Sequence, residues 1–171
     1  AEREQARIIR RQSERIKTLV NDLNLASKLE YDMQPLRATL IYPAAVVRGV
    51  VADFLNSGLD DGYFIDLNVE KGVQSAVLTG DKELLQRAIS NLIGNSIRHN
   101  PNDCTITVTV ETGQTQCLIS VADNGVGFPA QVLATLNQPN RPAEGRNHGL
   151  GLTIVRQIMA AHGGTAEFNN L

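Results

Sequence analysis

Apolar residues at Ile9, Ile16, Leu19, Leu23 and Ala26 recur at spacings of seven, three, four and three through a polar stretch, residues 2–30, that contains neither glycine nor proline. That period predicts one long helix with a single apolar stripe. Ile8, Leu25 and Leu29 widen the stripe beyond a two-stranded seam. A helix of this kind buries its stripe on a partner helix or on its own domain; the expectation here is a helical-bundle dimer. The pattern breaks around Tyr31-Asp32-Met33-Gln34-Pro35, dividing the chain into residues 1–33 and 34–171.

Beyond that boundary short alternating and helical periods follow one another. Residues 36–42 suit a short strand, and Pro43 suits the first turn of a helix whose apolar face is Ala45, Val46, Val50, Phe54 and Leu55. Asn56-Ser57-Gly58 stops that helix, Asp60-Asp61-Gly62 is a turn, and residues 63–69 and 76–79 read as strands. Asp81 is placed to cap a helix from Lys82 to about His99, with Glu83 favourable in its first turn. Residues 105–111 alternate as a half-buried strand, Thr112-Gly113-Gln114 turns the chain, and the run 117–122 returns as the second arm of a hairpin. A short helix covers 130 to about 136. A polar loop, 137–148, with two prolines and one glycine precedes a helix opened by Gly149-Leu150-Gly151-Leu152. Loops of this length are uncommon unless functional. The helix carries Leu150, Ile154, Ile158 and Ala161, and Gly163-Gly164 ends it. Thr165 to Phe168 is expected to begin a last strand, and the sheet edge to be truncated at Leu171.

Composition narrows the class. A chain of 171 residues with 42% hydrophobic and 20% charged residues suits one ordinary domain with a helical appendage. The net charge of −2, without a basic stripe, argues against a nucleic-acid partner. No apolar run approaches the ~20 residues that cross a bilayer, and no signal-peptide pattern opens the chain. The stretch is therefore expected not to be membrane-embedded and to lie in the cytoplasm, with a membrane anchor left open for a longer parent. Cys104 and Cys117 fall in neighbouring predicted strands without CxxC spacing, and read as small buried hydrophobes of a reducing compartment.

Three stretches carry candidate chemistry. On the helix 82–99, Leu85, Ala88, Ile89, Leu92, Ile93 and Ser96 cover one face, and Asn91, Asn95 and Arg98 form a polar strip beside it. Asparagine is an indifferent helix former, so two on the rim of a buried face suggest amides that meet something. An amide oxygen is a neutral ligand for a hard cation such as Mg²⁺, which also keeps waters and phosphate oxygens; the alternative is a solvated or locally hydrogen-bonded pair. In Asp123-Asn124-Gly125-Val126-Gly127 a strand delivers one carboxylate into a Gly-x-Gly turn, a setting for close ligand approach. Asp-Asn-Gly is also a common turn. The third piece is Gly149-x-Gly151 at a helix start.

In their order and spacing these pieces resemble the N, G1 and G2 boxes of the catalytic, ATP-binding domain of sensor histidine kinases, in the superfamily that also holds gyrase, Hsp90 and MutL. The resemblance covers residues 36–169, and residues 2–30 resemble the second helix of that family's dimerisation bundle. It implies an α+β fold: a two-layer α/β sandwich with a mixed, mostly antiparallel sheet covered on one face by helices (the Bergerat-type ATP-binding fold), preceded by a long N-terminal helix. It implies that Asp123 accepts the adenine amino proton, and that Gly125 and Gly127 let the backbone pass close to the base. Asn95, with Asn91, would hold Mg²⁺ at the phosphates. Gly149, Leu150 and Gly151 would offer helix-start N–H groups to phosphate. Loop 137–148 resembles the ATP lid, and of Arg98, Arg141 and Arg146 the first is favoured as a phosphate contact.

Among the histidines, His99 stands where the family often has an aromatic residue, so it is expected either to touch the nucleotide or simply to end the helix. His148 is a candidate phosphate contact, and His162 reads as a surface residue or a partner of the helix C-terminal dipole. Two features depart from the family: none of the three histidines has the phosphoacceptor's setting, and the lid lacks a Phe-rich segment. Hydrolytic relatives carry a Glu four residues before the metal-binding Asn, where this chain has Asn91. Positioning and electrostatics do most of the work of phosphoryl transfer. The expectation is transfer of the γ-phosphoryl of Mg·ATP to a histidine outside this chain, in a homodimer formed through the N-terminal helix, for relay to a response regulator. A serine kinase or ATPase of the superfamily, and a nucleotide-binding regulatory domain without catalysis, are the alternatives.

Overall fold

The computed structural model describes residues 2–31, 35–59, 62–100, 103–136, 138 and 150–170. The long polar stretch is one helix, α1 (Glu2–Glu30), followed by β1 (Thr39–Ile41), α2 (Pro43–Asn56) and β2 (Tyr63–Val69). After a 3₁₀ turn at Val73–Ser75 come β3 (Leu78–Gly80), α3 (Lys82–His99), β4 (Cys104–Thr112) and β5 (Cys117–Asp123). Two more helices follow, α4 (Ala130–Leu136) and α5 (Leu150–Ala161).

The strands form two hydrogen-bonded pieces. β2, β4 and β5 lie side by side with β4 in the middle, and β1 pairs with β3. β2 and β4 are parallel, and the other two pairings are antiparallel. Parallel neighbours need a crossover, and the chain from β2 to β4 makes it through α3. β4 alternates as its sequence predicts: Cys104, Ile106, Val108 and Val110 are buried, and the threonines between them face the other way. The helices supply the second layer, α3 packing against α2 and α5 and contributing Leu85, Ala88, Ile89 and Ile93 to the core. Asp81 caps α3 as expected, its Oδ1 accepting from Leu84 N at 3.2 Å while Oδ2 accepts from Arg37 N at 3.0 Å.

Several expectations change. The face that α2 buries is Pro43, Ala44, Val46, Val47, Val50 and Val51, whereas Ala45 and Leu55 of the expected face are exposed. β3 begins two residues later than the apolar run from Ala76, because the ladder Thr39↔Gly80 sets its register and the 3₁₀ turn just ahead of the run sinks Val73 into the core. Residues 164–170 form no strand. Asn170 instead reproduces one ladder rung with its side chain, accepting from Phe128 N at 2.8 Å and donating to Phe128 O at 2.9 Å. Phe168 is meanwhile buried edge-to-face on Phe128, with ring centroids 6.4 Å apart.

The stripe of α1 divides. Ala26 is buried and Leu25 and Leu29 pack on the core next to α5, whereas Ile9, Ile16, Leu19 and Leu23 are 65%, 61%, 50% and 61% exposed. Asp22, buried on the docked side, forms an ion pair with Arg87 of α3. Of the two readings of His162, the partner of the helix C-terminus holds, and the ring is half-buried. Its Nδ1 donates to Ile158 O at 2.7 Å, a last-turn carbonyl of α5, and its Nε2 accepts from Asp81 N at 2.9 Å, so the end of α5 is tied to the cap of α3.

Both cysteines are free, Cys104 buried and Cys117 half-buried. Among the described residues no helix is long and apolar enough to cross a membrane.

Candidate functional site

The site forms where the last two turns of α3 meet the end of β5. Along β5 the alternation that turns Ile119 and Val121 to the helices carries Asp123 to the same side. Its Oδ2 accepts from Ser96 Oγ at 2.7 Å and its Oδ1 from Gly125 N at 3.1 Å. The first bond joins helix to strand, and the second closes the Gly-x-Gly turn on its own carboxylate.

Asn100, the residue after α3, is buried and spans the same junction. Its Nδ2 donates to Ser96 O at 2.9 Å, and its Oδ1 accepts from Val126 N at 3.1 Å. Tyr63 from β2 supports the helix end, its hydroxyl lying 3.1 Å from Ile97 O and 2.9 Å from Asn100 O. Carbonyls at a helix C-terminus lack intrahelical partners, so this contact satisfies groups that burial would otherwise penalise. Asn124 locks the turn to the neighbouring strand: its Oδ1 accepts from Thr105 N at 2.8 Å and its N donates to Thr105 O at 3.2 Å.

Around Asp123 lies a cleft of about 220 Å³. Asn95, Ser96, His99 and Asn100 form its α3 side, and Val126, Phe128, Pro129 and Val132 face them with apolar surface. Typical ligand pockets hold ~300–1,000 Å³, so the cleft suits a planar ring rather than a whole nucleotide. An apolar slot with one acceptor-only carboxylate selects a flat heterocycle that can donate a hydrogen bond. Beside the carboxylate, burial pushes the Cys104 thiol up and the charge of Asp123 pushes it further, so the thiol stays neutral there. A larger concavity, about 470 Å³, lies along Arg156, Gly164, Thr165 and Glu167 and includes none of the residues singled out by sequence.

Of those residues, Asn95, His99, Asp123 and Gly127 line the cleft together, and Gly125 donates to its carboxylate. Asn91 stands one turn back on α3 and donates from Nδ2 to Gly151 O at 3.3 Å, which joins the asparagine helix to the first turn of α5. Leu150 is half-buried against the core, and Arg98 is exposed and outside the cleft lining. His148, Gly149, Arg141 and Arg146 lie outside the described residues, as does the expected lid apart from Gln138. Asn100, Tyr63, Phe128 and Val132 were not legible as site residues. Ser96 carried a signal, since a hydroxyl on an apolar helix face must find a partner when buried.

Comparison with known proteins adds independent findings. The family described as "Histidine kinase-, DNA gyrase B-, and HSP90-like ATPase" matches residues 80–170. The sensor histidine kinase YvrG of Bacillus subtilis (strain 168) is 29% identical over 98% of this chain and 30% of its own length. The sensor protein QseC of Escherichia coli O157:H7 is 33% identical over 69% of this chain and 27% of its own. The chain thus spans about a third or less of the curated relatives it matches. Among solved structures, full-length ShkA in complex with AMPPNP has a TM-score of 0.75 at 23% identity, covering 95% of this chain and 35% of that one. Histidine kinase ThkA in complex with response regulator protein TrrA has a TM-score of 0.69 at 22% identity, covering 92% and 43%. At these identities the structures establish the shared fold: helices on a mostly antiparallel mixed sheet.

Proposed function

Since the chain belongs to the histidine kinase-, DNA gyrase B- and HSP90-like ATPase family, we propose that it is the ATP-binding catalytic part of a sensor histidine kinase. The observation that carries this reading is the cleft itself: Asp123 at one wall, held by Ser96, with Asn95 one residue away on the same helix. Asp123 receives the exocyclic amino group of adenine, and Val126, Phe128 and Val132 exclude water from the ring. A hydrogen bond to a charged acceptor in such a setting is worth ~1.5–3 kcal/mol. Gly125 and Gly127 carry the backbone past the base, and Gly149, Leu150 and Gly151 meet phosphate at the start of α5.

The asparagines fit a magnesium ion. Asn91 uses its amide nitrogen on Gly151 O, which leaves its oxygen for a cation, and the side chain of Asn95 makes no hydrogen bond among the described residues. Among those residues there is no cluster of three acidic, histidine or cysteine side chains. Two neutral oxygens suit a cation that shares its shell with phosphates and waters; when bound, it would neutralise charge on the transferring phosphoryl group.

With Asn91 four residues ahead of Asn95, no carboxylate stands on α3 to orient a water there. The γ-phosphoryl therefore goes to a histidine of the dimeric helical bundle outside this chain, and from it to the aspartate of a response regulator, a reading supported by the ThkA–TrrA complex. Residues 1–33 belong to the bundle, 34–171 to the catalytic domain, and the unit works on the cytoplasmic face.

Isothermal titration with a non-hydrolysable ATP analogue, with and without Mg²⁺, tests this. Binding should be tighter with Mg²⁺ and lost in Asp123→Ala. Equal affinity in the wild type and the variant overturns the site, and steady release of phosphate from ATP by this chain alone would favour an ATPase instead.

A further inference from the structure

Of the buried residues of α3, Ser96 alone carries a polar side chain. Burying a hydroxyl costs free energy unless it is hydrogen-bonded, and Ser96 meets that cost on one atom, Asp123 Oδ2, at 2.7 Å. That length is an ordinary one for a hydroxyl donating to an oxygen. The other carboxylate oxygen is held by Gly125 N at 3.1 Å. Donors on two separate elements therefore constrain one carboxylate from two directions. The backbone of Ser96 is itself tied to the turn, since Asn100 bonds both Ser96 O and Val126 N.

We propose that Ser96 is a positioning residue that presets Asp123 for a 6-aminopurine. The inference rests on the nucleotide reading of the cleft and adds a second residue to base selection. A carboxylate at a strand end turns freely about its side-chain torsions, and fixing it on binding costs affinity. Ser96 fixes it beforehand. The hydroxyl has one proton, and because that proton is committed to Oδ2, Ser96 turns only lone pairs toward the cleft. Oγ and the carboxylate together make an acceptor-only edge, which suits an exocyclic amino group and repels a ring carbonyl.

The role predicts a base-specific defect. Titrations of the wild type and Ser96→Ala would compare ATP with purine riboside 5′-triphosphate, which lacks the 6-amino group. Ser96→Ala should lose ~10-fold in affinity for ATP and less than ~2-fold for the analogue. A merely structural role would weaken both nucleotides alike, and that result overturns the proposal, as does unchanged ATP affinity. Asp123→Ala is measured in parallel. If it also binds ATP normally, the nucleotide reading of the cleft fails; if it loses ATP while Ser96→Ala does not, only the role of Ser96 fails.

Discussion

At Gly125 the limit on a side chain is space. A Cβ there would lie 1.7 Å from Asn100 Oδ1, so any larger residue expels the buried amide that bonds both α3 and the turn. Gly127 differs: its φ of +69° is a left-handed conformation that L side chains rarely adopt. Gly125→Ala is expected to cost ~1–3 kcal/mol through overpacking, read as a lower urea midpoint at unchanged slope, and to weaken ATP binding together with it. A midpoint equal to wild type would mean that Asn100 is not the wedge. His162 shows how such residues escape a sequence reading. Nothing local to Ala161-His162-Gly163 announces that its ring will accept from Asp81 N, 81 positions away.

Single elements carry two jobs on two faces. α3 turns Leu85, Ile89 and Ile93 inward and sets Asn91 and Asn95 at the rim, so one helical period aligns the core and the cleft. α1 divides its work along its length: the turn around Asp22 and Ala26 docks on α5 and α3, and the stripe upstream is exposed. That stripe fits the proposed dimer. Ile16→Glu places a charge within it, far from the cleft, and should convert a dimer to a monomer in light scattering with ATP affinity unchanged. A wild-type chain that is monomeric at high concentration would refute the dimer.

For the molecule as a whole, the cleft draws on α3, β5 and the turn after it, and Asn91 links it to α5, so nucleotide should stabilise the fold globally. At a hundred times Kd, Mg·ATP adds ~2.7 kcal/mol, a rise in Tm of about 5–10 °C for a chain of this size. Thermal unfolding followed by circular dichroism measures it, and Asp123→Ala should remove the shift.

Much of this was legible in one dimension. The period of residues 2–30, the alternation of 105–111 and the cap at Asp81 depend on the geometry of a helix turn or a strand pleat, which the nearest neighbours in the chain set. The three glycine- and asparagine-bearing stretches stand out as candidates for the same reason, since each is local. Tertiary structure alone decided the rest: the register that moved β3 to Leu78–Gly80, the side-chain rung from Asn170 to Phe128, and the docking of the last turns of α1 on the core. It also brought Ser96 to Asp123 across 27 positions. Local geometry repeats with a period that a sequence displays. A contact between distant residues is settled by how whole faces pack, and no single stretch encodes that.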